Sequence, residues 1–555
     1  MAVEPLYARL LMRNLSGNPE PLDGLQLFVR RYSNAAVGGP KYASLYALGS
    51  EAARWRLFDM LRCPVEIYDQ RLTPVWWGYV QAVRPGVSHI YSGASLEKLA
   101  NRVRVTYQRV TSSDPQVGTP AETAWADDLD SQAEYGIREY KTTKPGNSLD
   151  SDAVQYRDTL LQQRAWPPAD IDLAGSTGLV NVAELEALGW WETLAWRYYG
   201  RSEWRASNDQ FGAEDTFAFG HAQSTHRYAQ QFLVPAGETW EIESVSIEIG
   251  RAGANAQSGV IVAGVYTNHA TLNQPDAIVG GTRSRNCNTI SQYGPSFAGW
   301  TFPSNNWPIC TGAPTTGTYY WLSFERQGPQ SDGSAYFTLY CTLNRYIPES
   351  STNGIVKVRH ADTGVWSTVN SNYAPSTPVD LRFRTSVIRE TTALISDIIA
   401  AQSPFLTVEI KNPSGRYGPV YRPGDRTAKD EIEALLAAGT ADGGRHVRLT
   451  AEVGPDRRVL LRFETPYAEQ YRLSPGKRGL MLRDPQGVEV FPQLVTAGVW
   501  ATIQDANPLA SAVTSLAFSD PVFIEEAEYD ARSGLYIPSP RDAFAALEIP
   551  VRAES

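Results

Sequence analysis

The chain has 555 residues, enough for about three or four domains at roughly 150 residues each, and its 50 Lys+Arg against 60 Asp+Glu give a formal net charge of −10. An acidic balance argues against a surface built to neutralise nucleic-acid phosphates or an anionic bilayer. Four scattered Cys, no C-x-x-C pair, no N-terminal apolar run of signal-peptide length and no stretch of about 18 apolar residues lead us to expect a chain that matures in a reducing compartment without a membrane span.

Residues 1–110 read as an α+β domain. Strand-like runs at 25–32, 64–68 and 75–83 alternate with one amphipathic helix over 50–61, whose Ala53, Leu57, Phe58 and Leu61 share a face and whose Ser50 is a natural N-cap. Residues 111–215 form a connecting region. Its first part, 111–150, is polar and turn-rich and reads as a loop or exposed arm, and 152–164 reads as a helix stopped by Trp166-Pro167-Pro168.

Residues 216–388 differ in kind. They hold ten Lys/Arg and ten Asp/Glu in 173 residues, half the charge density of the rest of the chain. Short strand-like runs at 239–249, 259–266, 318–324 and 335–341 predict an inserted antiparallel β-sandwich. Trp240, Ile242, Val245, Ile247 and Ile249 alternate with polar residues except at Glu243 and Ser244, where a bulge restores register. Residues 389–470 read as a second α+β domain, with helices over 391–401 and 425–438, Gly439 as a stop and a hairpin of 447–453 with 459–463. Residues 471–555 read as a β-rich C-terminal segment. The fold class expected is therefore mainly β, with a split α+β scaffold carrying a guest sandwich.

Signatures of catalysis are missing: there is no Walker A loop, dinucleotide fingerprint, H-E-x-x-H or G-x-S-x-G. His221 and His226, the one close pair among six His, fall on opposite faces of a strand and make a poor metal site. Glu241 and Glu243 would face each other across a sugar only on a regular strand, which the shift at 243–244 puts in question. We expect no catalytic residues, no cofactor and no metal, and a chain that is not an enzyme. The better signal lies in aromatic and amide side chains. Within the stretch 293–307, Tyr293, Trp300 and Trp307 are candidate stacking faces for a glycan and Asn305 and Asn306 its hydrogen-bonding partners; the alternative is a loop folding its rings onto the sandwich. The second cluster, Trp190, Trp191, Trp196, Tyr198 and Tyr199, is a candidate subunit interface, with core packing as the competing fate.

Gly39-Pro-Lys-Tyr-Ala-Ser-Leu-Tyr-Ala-Leu-Gly-Ser leading into the first helix, then Cys63-Pro-Val-Glu-Ile-Tyr-Asp and Pro74-Val-Trp-Trp-Gly-Tyr-Val-Gln-Ala-Val, resembles the opening domain of bacteriophage tail-tip and baseplate hub proteins. Thr392-Ala-Leu-Ile-Ser-Asp-Ile-Ile and Asp425-Arg-Thr-Ala-Lys-Asp-Glu-Ile-Glu-Ala-Leu-Leu are similar to the later hub domains, so the likeness covers the flanks, about two thirds of the chain. It implies a virion structural protein that assembles as a ring of identical subunits, commonly a trimer, between tail tube and receptor-binding parts. The guest sandwich resembles carbohydrate-binding modules carried by tail proteins, which implies host surface polysaccharide as a further partner. The competing classes are a glycosidase or accessory carbohydrate-binding protein, and a distal tail or adhesion protein of an adjacent layer.

Overall fold

The computed structural model describes residues 6–13, 24–87, 90–111, 114–173, 181–201, 207–208, 214–219, 225–252, 258–292, 295–303, 306–327, 336–343, 355–360, 364–370, 379–420, 422–439, 448–453, 459–464, 470–476, 479–484, 486–488, 497, 499–503, 522–533 and 535–540. It is mainly β, built largely from antiparallel sheets. Two units result: one from residues 1–199, 391–416 and 424–555, the other from 200–390 and 417–423. No helix among the described residues is long and apolar enough to cross a membrane.

The first unit is organised by one large sheet, which runs from Tyr7–Leu10 through Pro64–Tyr68, Pro74–Val87, Ala183–Gly189, Gly39–Gly49 and Leu25–Ala35 to Val522–Asp530 and the strands beyond it. Arg31 to Ala35 pair antiparallel with Glu526 to Asp530. The boundaries read at 110 and 471 therefore do not separate sheets, because strand pairing between ends of a chain leaves no local trace in its periodicity. Ser50 caps its helix as expected, accepting from the Ala53 amide at 3.3 Å, but the α-helix covers only Glu51–Trp55 and tightens into a 3-10 helix over Arg56–Met60.

The stretch 111–150 is not an arm. Asp114–Glu122 pairs antiparallel and Glu139–Ser148 parallel with Arg102–Thr111, and Asp128 caps a short helix, Leu129–Tyr135. Glu139–Ser148 buries only Ser148, so it carries no apolar alternation to read. The helix Asp150–Arg164 covers this sheet, packing Tyr156, Leu160 and Leu161 against Val103 and Val105.

After the guest, the helix Thr391–Gln402 buries Leu394, Ile395, Ile398 and Ile399. The next helix, Ala428–Ala437, starts three residues later than its apolar pattern because Arg422–Thr427 is extended; Thr427 and Asp430 close a capping box, and Gly439 ends the helix at φ 70°. The hairpin forms between Arg448–Val453 and Val459–Glu464, which also pairs parallel with Leu406–Ile410.

The second unit has two sheets. One centres on Thr239–Ala252, with Phe383–Glu390, Tyr336–Leu343, Ser296–Thr301 and Ile309–Thr311 beside it; the other runs Pro275–Asn286, Val260–Asn268, Thr318–Gln327, Thr225–Val234, Val356–His360 and Trp366–Thr368. Aromatic rings join their inner faces: Phe232 lies parallel to Trp240 at 6.1 Å and Trp300 meets Phe324 at 5.1 Å. The register shift falls between Ile242 and Ser244, so Trp240, Ile242, Val245, Ile247 and Ile249 all point inward and are buried. Among these apolar groups sit buried polar links. The Gln230 amide donates to Asp380 Oδ1 at 2.8 Å while its carbonyl accepts from the Leu381 amide at 2.7 Å, and Arg382 pairs with Glu248 at 2.6 Å.

Candidate functional site

Trp300 is no platform. It lies on the strand Ser296–Thr301, directly opposite Val245, is 1 % exposed and donates its indole N–H to the Ile261 carbonyl at 2.9 Å. The reading failed because Ala298 and Trp300 turn inward while only Gly299 and Thr301 alternate with them outward, a pattern too short to stand out. Tyr293 and Asn305 lie outside the described residues. Asn306 is exposed, its backbone N–H donating to the Pro303 carbonyl at 2.9 Å and its backbone carbonyl accepting from the Gly281 N–H at 3.3 Å. Its side-chain amide lies against Gly281, where a Cβ would displace it.

Trp307 remains at the surface, half-buried, and its ring meets that of Tyr417 edge-on, 5.2 Å between centroids at 66°. Tyr417 is 47 % exposed and comes from the short return 417–423, which pairs with the strand Phe383–Glu390 and sets Tyr417 opposite Glu390. Ile309, 57 % exposed, sits opposite Glu241 in the neighbouring ladder. Partial burial raises the Glu241 carboxyl above its ordinary range; Arg389 opposes that shift and Glu390 adds to it. The Tyr417 hydroxyl is raised by burial and then by Glu241 and Glu390. Glu243 takes part differently, accepting from the Ser386 hydroxyl at 3.5 Å, so the carboxylate near Glu241 is Glu390 rather than Glu243. Two ring edges, an exposed isoleucine and two carboxylates thus share one edge of the unit. Carboxylates accept from hydroxyls and aromatic faces pack on C–H groups, a chemistry suited to a polyol.

The Trp190 cluster, expected at a subunit interface, is core of the first unit. Trp190 is 1 % exposed, stacks on Phe405 at 4.0 Å and touches Tyr79 at 5.2 Å and Trp77 at 6.0 Å. Trp191 fills the space that a Cβ at Gly38 (φ +85°) would need, and Tyr199 is buried. Trp196 and Tyr198 are half-buried under cations, the Arg138 guanidinium at 4.0 Å and the Lys141 ammonium at 4.5 Å. The physical cause is the 3-10 helix Trp190–Ala195, which turns consecutive large rings inward where an extended run would have shown every second one outward.

The first unit's apolar surface lies elsewhere. An open groove of about 1010 Å³ is lined by Leu6, Tyr7, Leu27, Phe28, Val29 and Tyr46 among others, with Phe28 stacked on Tyr46 at 5.0 Å. Tyr7–Leu10 hydrogen-bonds to Pro64–Tyr68, and Leu25–Ala35 bonds to Gly39–Gly49 along its length but to Val522–Asp530 only from Arg31 onward. Among the described residues no group of three or more His, Cys, Asp or Glu could hold a metal ion; His221 lies outside them. The chain matches no protein-family model and no curated protein.

Proposed function

We propose that the chain is a structural protein of a phage tail tip or baseplate hub, its first unit forming a ring of identical subunits about the tail axis and its second unit contacting host surface glycans. The observation that carries the reading is the discontinuity of the first unit: residues 1–199, 391–416 and 424–555 form one unit, interrupted in sequence by 200–390 and 417–423, which form the other. Such a division suits a scaffold whose geometry is fixed by assembly and a guest free to vary with the host. With Trp190 and its neighbours in the core, the groove beside Phe28 becomes the contact surface between subunits, a trimer being the favoured ring.

Native mass measurement of the full chain with its tail partners should give a fixed multiple of 61.2 kDa. Phe28→Glu places an unpaired charge in the groove, so it should weaken association about tenfold or more while leaving the melting temperature nearly unchanged. A chain monomeric at every concentration and in intact particles overturns the reading. The edge at Trp307 and Tyr417 also favours a second one, a carbohydrate-binding protein outside any virion; a monomer retained on polysaccharide is its signature.

A further inference from the structure

The aromatic core of the first unit contains two guanidinium groups without a counter-charge among the described residues. Arg138, 7 % exposed, stands over the Trp196 ring at 4.0 Å and gives one N–H to the Leu96 carbonyl at 3.1 Å, while its Nε and Nη2 are buried beside the Tyr79 hydroxyl and meet no carboxylate among the described residues. Arg62 is half-buried, stands 5.8 Å from the Phe405 ring and donates Nη1 to the Glu134 backbone carbonyl at 2.9 Å; its Nε is buried and unpartnered. The Glu134 carboxylate is taken by Arg13 at 2.6 Å. The indole N–H groups of Trp77 and Trp190, in the same cluster, are likewise buried without acceptors among the described residues.

This is a surplus of donors and of positive charge. Burial is the first cause that lowers the Arg62 pKa, to about 10, and repulsion from Arg138 and then Arg13 follows. Arg138 is lowered by burial, and the charged or polar group that favours its cation is the Tyr79 hydroxyl, itself held protonated by burial. Cation–π contact recovers part of the desolvation cost of a buried guanidinium, but a buried charge without an opposite charge remains expensive. Arg62 is further held at φ 65°, a left-handed backbone that costs energy in a non-glycine residue and that its amide's bond to the Val80 carbonyl at 2.8 Å maintains. The Gly136 backbone packs closely against both: a Cβ there would stand 3.5 Å from Arg62 Nη2 and 3.2 Å from the Trp196 ring.

We propose that Arg62 and Arg138 form an anion site in the first unit, which takes one small oxyanion of the phosphate or sulfate class. The forked N–H groups of a guanidinium match the oxygens of such an ion, and the half-buried side of Arg62 is its way in. Water could satisfy the donors but would leave the charge uncompensated.

Isothermal titration of the full chain with inorganic phosphate, and separately with sulfate, at constant ionic strength tests this. One saturable site per chain is expected, with a higher melting temperature in the oxyanion than in chloride at the same ionic strength. Arg62→Gln should weaken binding about ten- to hundredfold, the range for loss of a charged hydrogen bond, and Arg138→Gln should do the same if it folds. Arg283→Gln, an exposed arginine of the second unit, should leave the isotherm unchanged. Absence of saturable binding overturns the proposal, as does binding that survives Arg62→Gln, or a melting temperature that responds equally to chloride.

Discussion

Asp380→Asn should stabilise the second unit at pH 8 by about 3 to 4 kcal/mol and leave it unaltered at pH 4. Asp380 is fully buried between the sheets, and desolvation lifts its carboxyl from 3.8 to about 7 against the opposing effect of the Gln230 hydrogen bond. A shift of about three units corresponds to about 4 kcal/mol of preference for the protonated acid. The folded state thus binds a proton that the unfolded state releases near pH 4. Stability attributable to this group is complete below about pH 4, declines as pH rises toward 7 and is level above that. Asparagine mimics the neutral acid and can still accept from the Gln230 amide, so the variant should lack this decline. Calorimetric unfolding of both full-length proteins from pH 4 to pH 8 checks the sign: a difference that grows with pH supports the argument, and one that is constant or shrinks refutes it.

The buried Asp380 also shows where reading a sequence ends. The inward set Trp240, Ile242, Val245, Ile247 and Ile249 was legible, bulge included, because side-chain alternation is local and one extra residue breaks it visibly. Ser50 and Gly439 were legible for the same reason, since caps act within a turn. Tyr417 was not. It belongs to the second unit through a return of seven residues after the chain has already contributed Thr391–Gln402 to the first, and nothing in 417–423 signals its partner Phe383–Glu390. Of the candidate glycan residues, Trp307 kept a surface position and Trp300 did not, a distinction that depends on which ladder each joins. Arg62 and Arg138 carry no sequence signal either: each is an ordinary arginine until the fold buries it with no carboxylate partner among the described residues.

Trp300→Ala and Trp307→Ala should have opposite consequences. Removing the Trp300 ring empties a site between Phe324 and the central strand and leaves the Ile261 carbonyl without its donor, so a loss of about 3 to 5 kcal/mol is expected. For a unit of this size that is a fall in melting temperature of about 10 °C. Trp307 is half-buried and its packing on Tyr417 is a single edge contact, worth about 0.5 to 1.5 kcal/mol beyond its area; Trp307→Ala should change the melting temperature by a few degrees at most. If this edge receives sugars, the same substitution should abolish retention in affinity electrophoresis on bacterial capsular or cell-wall polysaccharide, with Tyr417→Ala weakening it and Glu241→Gln reducing it through lost hydroxyl contacts. One such edge binds weakly, and a ring of identical subunits would engage several glycan chains at once, so the deficit should be larger for the assembled protein than for a dissociated one. Retention that persists in both Trp307→Ala and Tyr417→Ala removes this edge as the binding surface. Loss of retention by Trp300→Ala at an unchanged melting temperature would return the platform to the position from which its burial excludes it.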